Sequence, residues 1–240
     1  MQLYFIRHAQ SANNALWSGT GSDKGRSEDP ELTDLGLQQA QALAEHLSSA
    51  NPRGGSPCKG NGGTGFGLTH LYSSLMVRAV KTGVTIAARL DLELHGWQEI
   101  HERGGIYLNN GDSGEVQYLP GRDRQYFQKH YPALLLPPGF KESGWWDRKP
   151  LEAPEDSLVR ARAFIRGLRE KHGGSEDRVG IISHGGFYND FLVELLGLRP
   201  NNGYWFSMFN TAITRIDFQD DWVDVVYQNR TDHLAPEMVT

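Results

Sequence analysis

Two histidines in this sequence follow apolar runs of strand length. Residues 2–6 form the first run, and Arg7 and His8 come directly after it; residues 179–183 form the second, and His184 follows with two glycines. In an open α/β sheet, ligands collect at the carboxyl ends of the strands. We therefore expect both imidazoles at one edge of a sheet, beside the guanidinium of Arg7.

A second arginine joins this set. Residues 68–73 form another short strand candidate, and Arg78 opens the helix predicted over 78–90. Two arginines offer charge-assisted hydrogen bonds to a dianionic phosphoryl group, while a neutral imidazole can attack phosphorus. Metal ligation is the rival use of two histidines, but metal sites seldom place arginines around the ion and usually recruit carboxylates or cysteines. The sequence favours a phosphoryl site with no metal ligands and no cofactor.

Helices alternate with strands along the chain, which predicts a mostly parallel central sheet covered on both faces. Apolar spacing, capping residues and apolar runs define the individual elements. The predicted strands are 2–6, 68–73, 179–183, 211–218 and 222–228, and the predicted helices are 34–49, 78–90, 155–172 and 187–196. The expected fold class is α/β, a three-layer α/β/α sandwich with an inserted lid.

Two segments interrupt this order within what we expect to be a single domain, residues 1–240. Residues 51–67 are rich in glycine and contain two prolines, so we expect a flexible surface loop. Residues 104–150 carry many aromatic and basic side chains, and an insertion of that length is more often a functional lid than a passive connection. Its adjacent Trp145 and Trp146 could instead pack the segment onto the sheet.

Longer motifs surround these residues and follow one another along the chain. They are Arg7-His8-Ala9-Gln10-Ser11-x-x-Asn14, Asp29-Pro30-x-Leu32-Thr33-x-x-Gly36-x-x-Gln39-Ala40, Tyr72-Ser73-Ser74-x-x-x-Arg78-Ala79-x-x-Thr82, Ser183-His184-Gly185-Gly186 and Asn210-Thr211-Ala212-Ile213. In these motifs, and in their order, the chain resembles the histidine phosphatase superfamily, with its phosphoglycerate-mutase-like fold, along nearly the whole sequence. The resemblance departs at Ala9, where the family usually has glycine; alanine is the smallest possible change, so we expect it to be tolerated.

The resemblance implies a two-step reaction. His8 would attack phosphorus while a glutamic acid protonates the leaving oxygen, and water would then attack the phosphohistidine with the same glutamate as base. The catalytic and phosphate-binding residues that it implies are His8, His184, Arg7, Arg78, one of Glu99 and Glu102, and, through neutral hydrogen bonds, Asn14 and Ser11. Ser11 could equally cap the segment that follows it.

The acid has two candidates because the family's Leu-x-Glu-x-x-x-Gly motif is altered here. The corresponding stretch is Trp97-Gln98-Glu99-Ile100-His101-Glu102-Arg103-Gly104. Glu99 keeps the residue order of the family motif more closely, so we prefer it. Glu102 precedes Arg103 and a glycine pair, and such a pair would let the backbone approach a phosphoester closely.

The function that the resemblance implies is hydrolysis of a small-molecule phosphomonoester by a metal-independent phosphatase. One alternative is a phosphoglycerate mutase-type phosphotransferase, although the Gly-Glu-Ser-x-Trp-Asn motif of those mutases is absent after His8. Another is a non-catalytic phospholigand-binding module, which would have lost a histidine or the acid. The net charge of −5 and the lack of a basic block argue against nucleic-acid and anionic-membrane partners. A single cysteine, with no export signal or long apolar run, favours a cytoplasmic protein.

Overall fold

The computed structural model describes residues 1–49, 65–110, 115–146, 150–200 and 203–240. Its strands are β1 (Gln2–Arg7), β2 (His70–Ser73), β3 (Leu94–Gly96), β4 (Tyr107–Asn110), β5 (Glu115–Tyr118), β6 (Leu134–Leu135), β7 (Arg178–Ser183), β8 (Ile213–Phe218) and β9 (Val223–Arg230). Its α-helices are α1 (Ala12–Thr20), α2 (Asp34–Ser49), α3 (Val77–Leu90), α4 (Arg124–His130), α5 (Pro154–His172) and α6 (Gly185–Leu195). Short 3₁₀ helices cover Gln98–Ile100 and Pro236–Met238. Within these described ranges, no helix combines the length and the apolar character needed to cross a bilayer.

Seven strands form the main sheet, in the order β6-β3-β2-β7-β1-β8-β9, and β4 pairs with β5 in a separate hairpin. Neighbouring strands are parallel from β6 to β1, whereas β8 and β9 run antiparallel. Side chains alternate across β1, so that Tyr4 and Ile6 join the core under α2 and α3, while Leu3 and Phe5 join the core under α5 and α6. The structure confirms the three-layer α/β/α fold.

Most predicted elements are present, with bounds that shift by a few residues. The helix predicted over 34–49 is α2, whose apolar spacing buries Leu43 and Leu47 on one face. The structure adds α1, which the apolar pattern did not indicate because none of its residues is buried. β8 begins at Ile213, later than predicted, because Thr211 has a left-handed backbone with φ of 58°.

The segment predicted as a lid contains the β4-β5 hairpin, α4 and β6, and β6 extends the edge of the main sheet by pairing with β3. Trp145 and Trp146 are buried in the core on the α2 and α3 side, so both tryptophans pack the segment onto the sheet. Residues 111–114 and 147–149 of this segment lie outside the described part of the chain.

The loop predicted at 51–67 also lies outside the described residues, as far as residue 64. At its end, Phe66 is buried, and its ring lies 5.4 Å from that of Tyr4 on β1. The chain is therefore anchored in the core again before β2 begins.

Candidate active site

His8 and His184 are brought side by side by the parallel ladder between β1 and β7. The ladder ends on the pair Arg7 and Ser183, so the next residue on each strand is a histidine. The backbone N–H of His8 donates to the Ser183 carbonyl at 2.9 Å, and the two imidazole centroids lie 5.0 Å apart. Both histidines thus lie at the carboxyl edge of the sheet.

The hydrogen bonds of His8 define its tautomer. Its Nδ1 lies 2.7 Å from the Ala9 carbonyl, which can only accept, so Nδ1 carries the proton. Its Nε2 accepts a hydrogen bond from Arg78 Nε at 3.1 Å and therefore keeps a lone pair. Burial, together with the charges of Arg78 and Arg7, holds the pKa of His8 well below its ordinary value. His8 is thus a neutral imidazole whose nucleophilic nitrogen points at a guanidinium.

Arg78 is held in place at the start of α3 by Asp29, the first residue of the motif Asp29-Pro30-x-Leu32-Thr33. The buried Asp29 carboxylate accepts the Val77 N–H at 2.9 Å and lies 3.8 Å from Arg78 Nη1. Val77 is the first residue of α3, so a side chain distant in sequence caps this helix. Burial raises the pKa of Asp29 to about 6, against the opposing effect of Arg78.

Arg7 and His184 each keep a polar atom unused. Arg7 Nη1 donates to the Met208 carbonyl at 2.5 Å, but its buried Nε has no partner within the described ranges. His184 is fully buried, its Nε2 hydrogen-bonds Ser74 Oγ at 2.9 Å, and its Nδ1 has no partner among the same residues. Burial and then Arg78 lower the pKa of His184. Both residues therefore hold hydrogen-bonding capacity beside His8.

Glu102 reaches the same site from the turn after the 3₁₀ helix. Its carboxylate accepts the backbone N–H groups of Gly186 at 3.2 Å and Phe187 at 3.0 Å, at the positive N-terminus of α6. A Cβ on Gly186 would lie 2.3 Å from Glu102 Oε1, so only glycine permits this approach. Glu102 lines one cavity with His8, Arg7 and Arg78.

Glu99 lies elsewhere. It is exposed on the 3₁₀ helix and lines a different cavity of about 470 Å³ with Glu152, Asp156 and Arg160. Glu102, and not Glu99, lines the cavity of His8, so this geometry favours Glu102 over the preferred Glu99, and the choice of the acid stays a prediction. The family-like residue order around Glu99 did not reveal the turn that directs Glu102 toward Gly186.

The loop after His8 is tied down by neutral hydrogen bonds. Ser11 is the N-cap of α1, and Asn14 Oδ1 accepts from its N–H at 3.1 Å and its Oγ at 2.9 Å, in a capping box. Asn210 Nδ2 bridges Asn14 Oδ1 at 3.3 Å and the His8 carbonyl at 2.9 Å. Ser11 therefore caps α1, which is one of the two roles expected for it. Ala9 is not among the residues with positive φ, so its position does not need glycine.

A cavity of about 190 Å³ opens beside His8 at the edge of the sheet, and His184 lies behind His8 without lining it. Its lining consists of Arg7, His8, Ser11, Asn13, Asn14, Leu16, Trp17, Asp23, Arg26, Arg78 and Glu102. Trp17 lies on α1, which has no apolar pattern that would place it, and Arg26 lies in the irregular segment after α1, so no periodicity indicates either residue. Trp17 is 60% exposed, and Arg26 donates to the Tyr107 hydroxyl of the β4-β5 hairpin at 3.1 Å.

The chain is similar to a known protein family and to individual proteins over most of its length. The sequence model of the histidine phosphatase superfamily (branch 1) matches residues 3–54 and 63–231. A relative described as a probable phosphoglycerate mutase, GpmB of Yersinia enterocolitica, is 23% identical over 225 residues, which cover 92% of this chain and 86% of that protein.

Solved structures with the same fold include a phosphoserine phosphatase of Entamoeba histolytica in complex with 3-phosphoglyceric acid. It is 22% identical, with a TM-score of 0.59, over 98% of this chain and 99% of that one. A mycobacterial glucosyl-3-phosphoglycerate phosphatase in complex with VO3 is 20% identical, with a TM-score of 0.60, over 96% of this chain and 99% of that one. At these identities the likeness shows the fold.

Proposed function

Because the chain belongs to the histidine phosphatase superfamily, we propose that it hydrolyses a phosphomonoester through a phosphohistidine on His8. The observation that carries the proposal is the state of His8. Its Nδ1–H is bonded to a carbonyl, its Nε2 lone pair faces Arg78, and its lowered pKa keeps the ring neutral. A neutral imidazole beside two arginines suits attack on an anionic phosphoryl group.

In the first step, His8 Nε2 attacks phosphorus in line and the bond to the ester oxygen breaks. Arg78 Nε, which donates to Nε2 at 3.1 Å, turns to a phosphoryl oxygen instead. We assign the proton of the leaving oxygen to Glu102, since it lines the same cavity as His8. Arg7, Arg78 and His184 stabilise the charge that spreads over the equatorial oxygens.

In the second step, water attacks the phosphohistidine and the N–P bond breaks. Glu102, now a carboxylate, accepts the proton of the water, and His8 returns to its neutral state as phosphate leaves. The capping interaction between Ser11 and Asn14 keeps the loop after His8 in place through both steps. The substrate is a small phosphomonoester, a size that suits the cavity of about 190 Å³.

A second candidate function is phosphoryl transfer back to the substrate, because curated relatives are described as probable phosphoglycerate mutases. Both reactions share the phosphohistidine. They differ in whether water or the bound product takes the phosphoryl group. Hydrolysis is the better-supported candidate because structural relatives with the same fold are described as phosphatases.

The proposal is tested by replacing His8. We expect His8→Ala to lower kcat by at least about a thousandfold on phosphoglycerates, sugar phosphates, nucleotides and aryl phosphates, with an unchanged circular dichroism spectrum. Rapid quenching of the wild type in alkaline detergent should trap a base-stable, acid-labile phosphoprotein that the variant lacks. His130→Ala, at an exposed histidine of α4, is the matched control and should keep full activity.

Full turnover by His8→Ala would exclude the phosphohistidine. Conversion of 3-phosphoglycerate to its isomer at a rate above phosphate release would favour the mutase over the phosphatase.

A further inference from the structure

A second group of histidines lies at the opposite end of the main sheet from His8. His70 is the first residue of β2, His172 is the last residue of α5, and Asp177 directly precedes β7. Their ligand atoms, two imidazole nitrogens and a carboxylate oxygen, all lie within 4.8 Å of one another. β7 separates this group from His184, and its six residues span roughly 17 Å.

Asp177 Oδ2 is the common point of the group. It lies 2.9 Å from His172 Nδ1 and 4.0 Å from His70 Nδ1. Ligand atoms on a tetrahedral zinc ion, with bonds of about 2.0–2.1 Å, are about 3.3 Å apart. To bind such an ion, the distance from Asp177 to His172 must increase, and the distance from Asp177 to His70 must decrease, by less than an ångström each. The His70 side chain is 39% exposed, and its Nδ1 would exchange the Thr69 hydroxyl, 2.9 Å away, for the ion.

The surroundings of His172 suit a ligand. Its side chain is only 4% exposed, and its Nε2 lies 3.1 Å from the Tyr72 hydroxyl. Metal-bound histidines usually donate their second ring nitrogen to such a partner, which fixes the ring and its tautomer. Asp177 and His70 remain accessible, which gives an ion a path from solvent.

We propose that His70, His172 and Asp177 bind one Zn²⁺ ion. Two imidazoles and a carboxylate match the ligand preference of this ion and leave a fourth position for water. The site joins the end of α5 to the starts of β2 and β7, three segments far apart in sequence. Because it lies at the other end of the strands, it serves stability and takes no part in hydrolysis. It also differs from the sequence-based expectation that the chain has no metal ligands.

The test uses the whole chain, stripped with a chelator and desalted. Titration with ZnCl₂ in a calorimeter should show one ion per chain, and a hundredfold excess over the Kd should raise Tm by about 5–10 °C. Co²⁺ should give the intense visible absorption of a tetrahedral site. Chelation should lower Tm and leave phosphatase activity at a temperature well below Tm unchanged.

The decisive variants are His70→Ala, at a half-exposed position, and Asp177→Asn, which keeps a hydrogen-bond acceptor for His172. Each should abolish the calorimetric signal and the Tm shift, while His130→Ala should retain both. Binding of Zn²⁺ by His70→Ala with the affinity of the wild type, or no saturable binding by the wild type at 100 μM Zn²⁺, would overturn the proposal. The cluster would then be a hydrogen-bonded group of structural residues.

Discussion

Glu99 and Glu102 are three residues apart, yet only Glu102 has its carboxylate in the cavity of His8. Two backbone N–H groups at the start of α6 hold that carboxylate. Glu99 lies on the exposed side of the 3₁₀ helix, where its carbonyl accepts a hydrogen bond from Arg160. The two glutamates therefore differ in the cavity that their side chains reach, and not in residue type.

We expect Glu102→Gln to lower kcat/KM, which reports the transfer of the phosphoryl group to His8, by about 10²–10⁴-fold for an alkyl phosphate, because its leaving oxygen must be protonated. The same variant should lose less than about tenfold on a nitrophenyl phosphate, whose leaving group departs without a proton. Glu99→Gln is the matched control and should change neither rate more than about twofold. Steady-state rates on the two esters check this assignment, and a selective loss in Glu99→Gln instead would reverse it.

Sequence reasoning could bring His8, His184, Arg7 and Arg78 together because each stands at the end of a strand or the start of the helix that follows one. That rule depends on periodicity, which a 3₁₀ helix of three residues does not provide. The position of Glu102 depends on contacts with Gly186 and Phe187, more than eighty residues away in the chain. No local pattern reports such a contact.

At the scale of an element, α3 depends on a cap that comes from another segment. Its own N-cap residue, Met76, makes no side-chain hydrogen bond, and Asp29 supplies the acceptor for the Val77 N–H. The same carboxylate lies beside Arg78. The geometry of the helix start and the position of a phosphate-binding guanidinium are thus set by one side chain.

Asp29→Asn separates the cap from the charge, since the amide oxygen can still accept from Val77. Burial raises the pKa of Asp29 in the folded state to about 6, above its ordinary value of 3.8. The stability that goes with this shift is fully present below pH 3.8 and is lost as the pH rises through about 6. Between pH 4 and pH 7, the free energy of unfolding of the wild type should therefore fall, relative to that of the variant, by on the order of 2 kcal/mol.

Urea unfolding of both proteins at pH 4 and pH 7 measures this difference. Asp34→Asn, at an exposed aspartate in the first turn of α2, is the control and should show little pH-dependent difference. An equal difference in stability at both pH values would contradict the assignment to Asp29.

The predicted elements that match the structure are those with strong apolar spacing, such as α2 and α3, or with continuous burial, such as β1 and β7. The apolar pattern does not indicate α1, because none of its residues is buried and several of its side chains line the cavity instead of the core. β3 and β6 have only three and two residues, which is too short for alternation to show. Pairing with neighbours, rather than local sequence, defines them as strands.

At the scale of the whole molecule, Gln39 connects segments from both ends of the chain. It is fully buried on α2; its Oε1 accepts the Gln10 N–H at 2.8 Å, and its Nε2 donates to the Met238 carbonyl at 2.7 Å and to Thr240 Oγ1 at 3.0 Å. Gln10 belongs to the loop after His8. One amide therefore ties the catalytic loop, a covering helix and the C-terminal segment together.

Gln39→Leu keeps most of the volume but leaves the Gln10 N–H and the Met238 carbonyl without this partner. We expect it to lower the free energy of unfolding by about 2–4 kcal/mol, because each buried polar group left unsatisfied costs about 1–3 kcal/mol. Gln41→Leu on the exposed face of α2, where the amide donates to Glu45, should cost less than about 0.5 kcal/mol. Urea denaturation compares the two, and equal losses would show that Gln39 makes no special connection.

The position of β1 in the sheet has a consequence for synthesis on the ribosome. β1 is translated long before its two neighbours in the sheet, β7 (Arg178–Ser183) and β8 (Ile213–Phe218). Roughly 175 further residues must be translated before the first neighbour is complete, which takes roughly 10–35 s at 5–20 residues per second. Throughout that interval an apolar strand has two unpaired edges, the form most open to wrong pairing and to capture by chaperones. The nascent chain thus carries His8 at the end of an unpaired apolar strand until β7 has been translated.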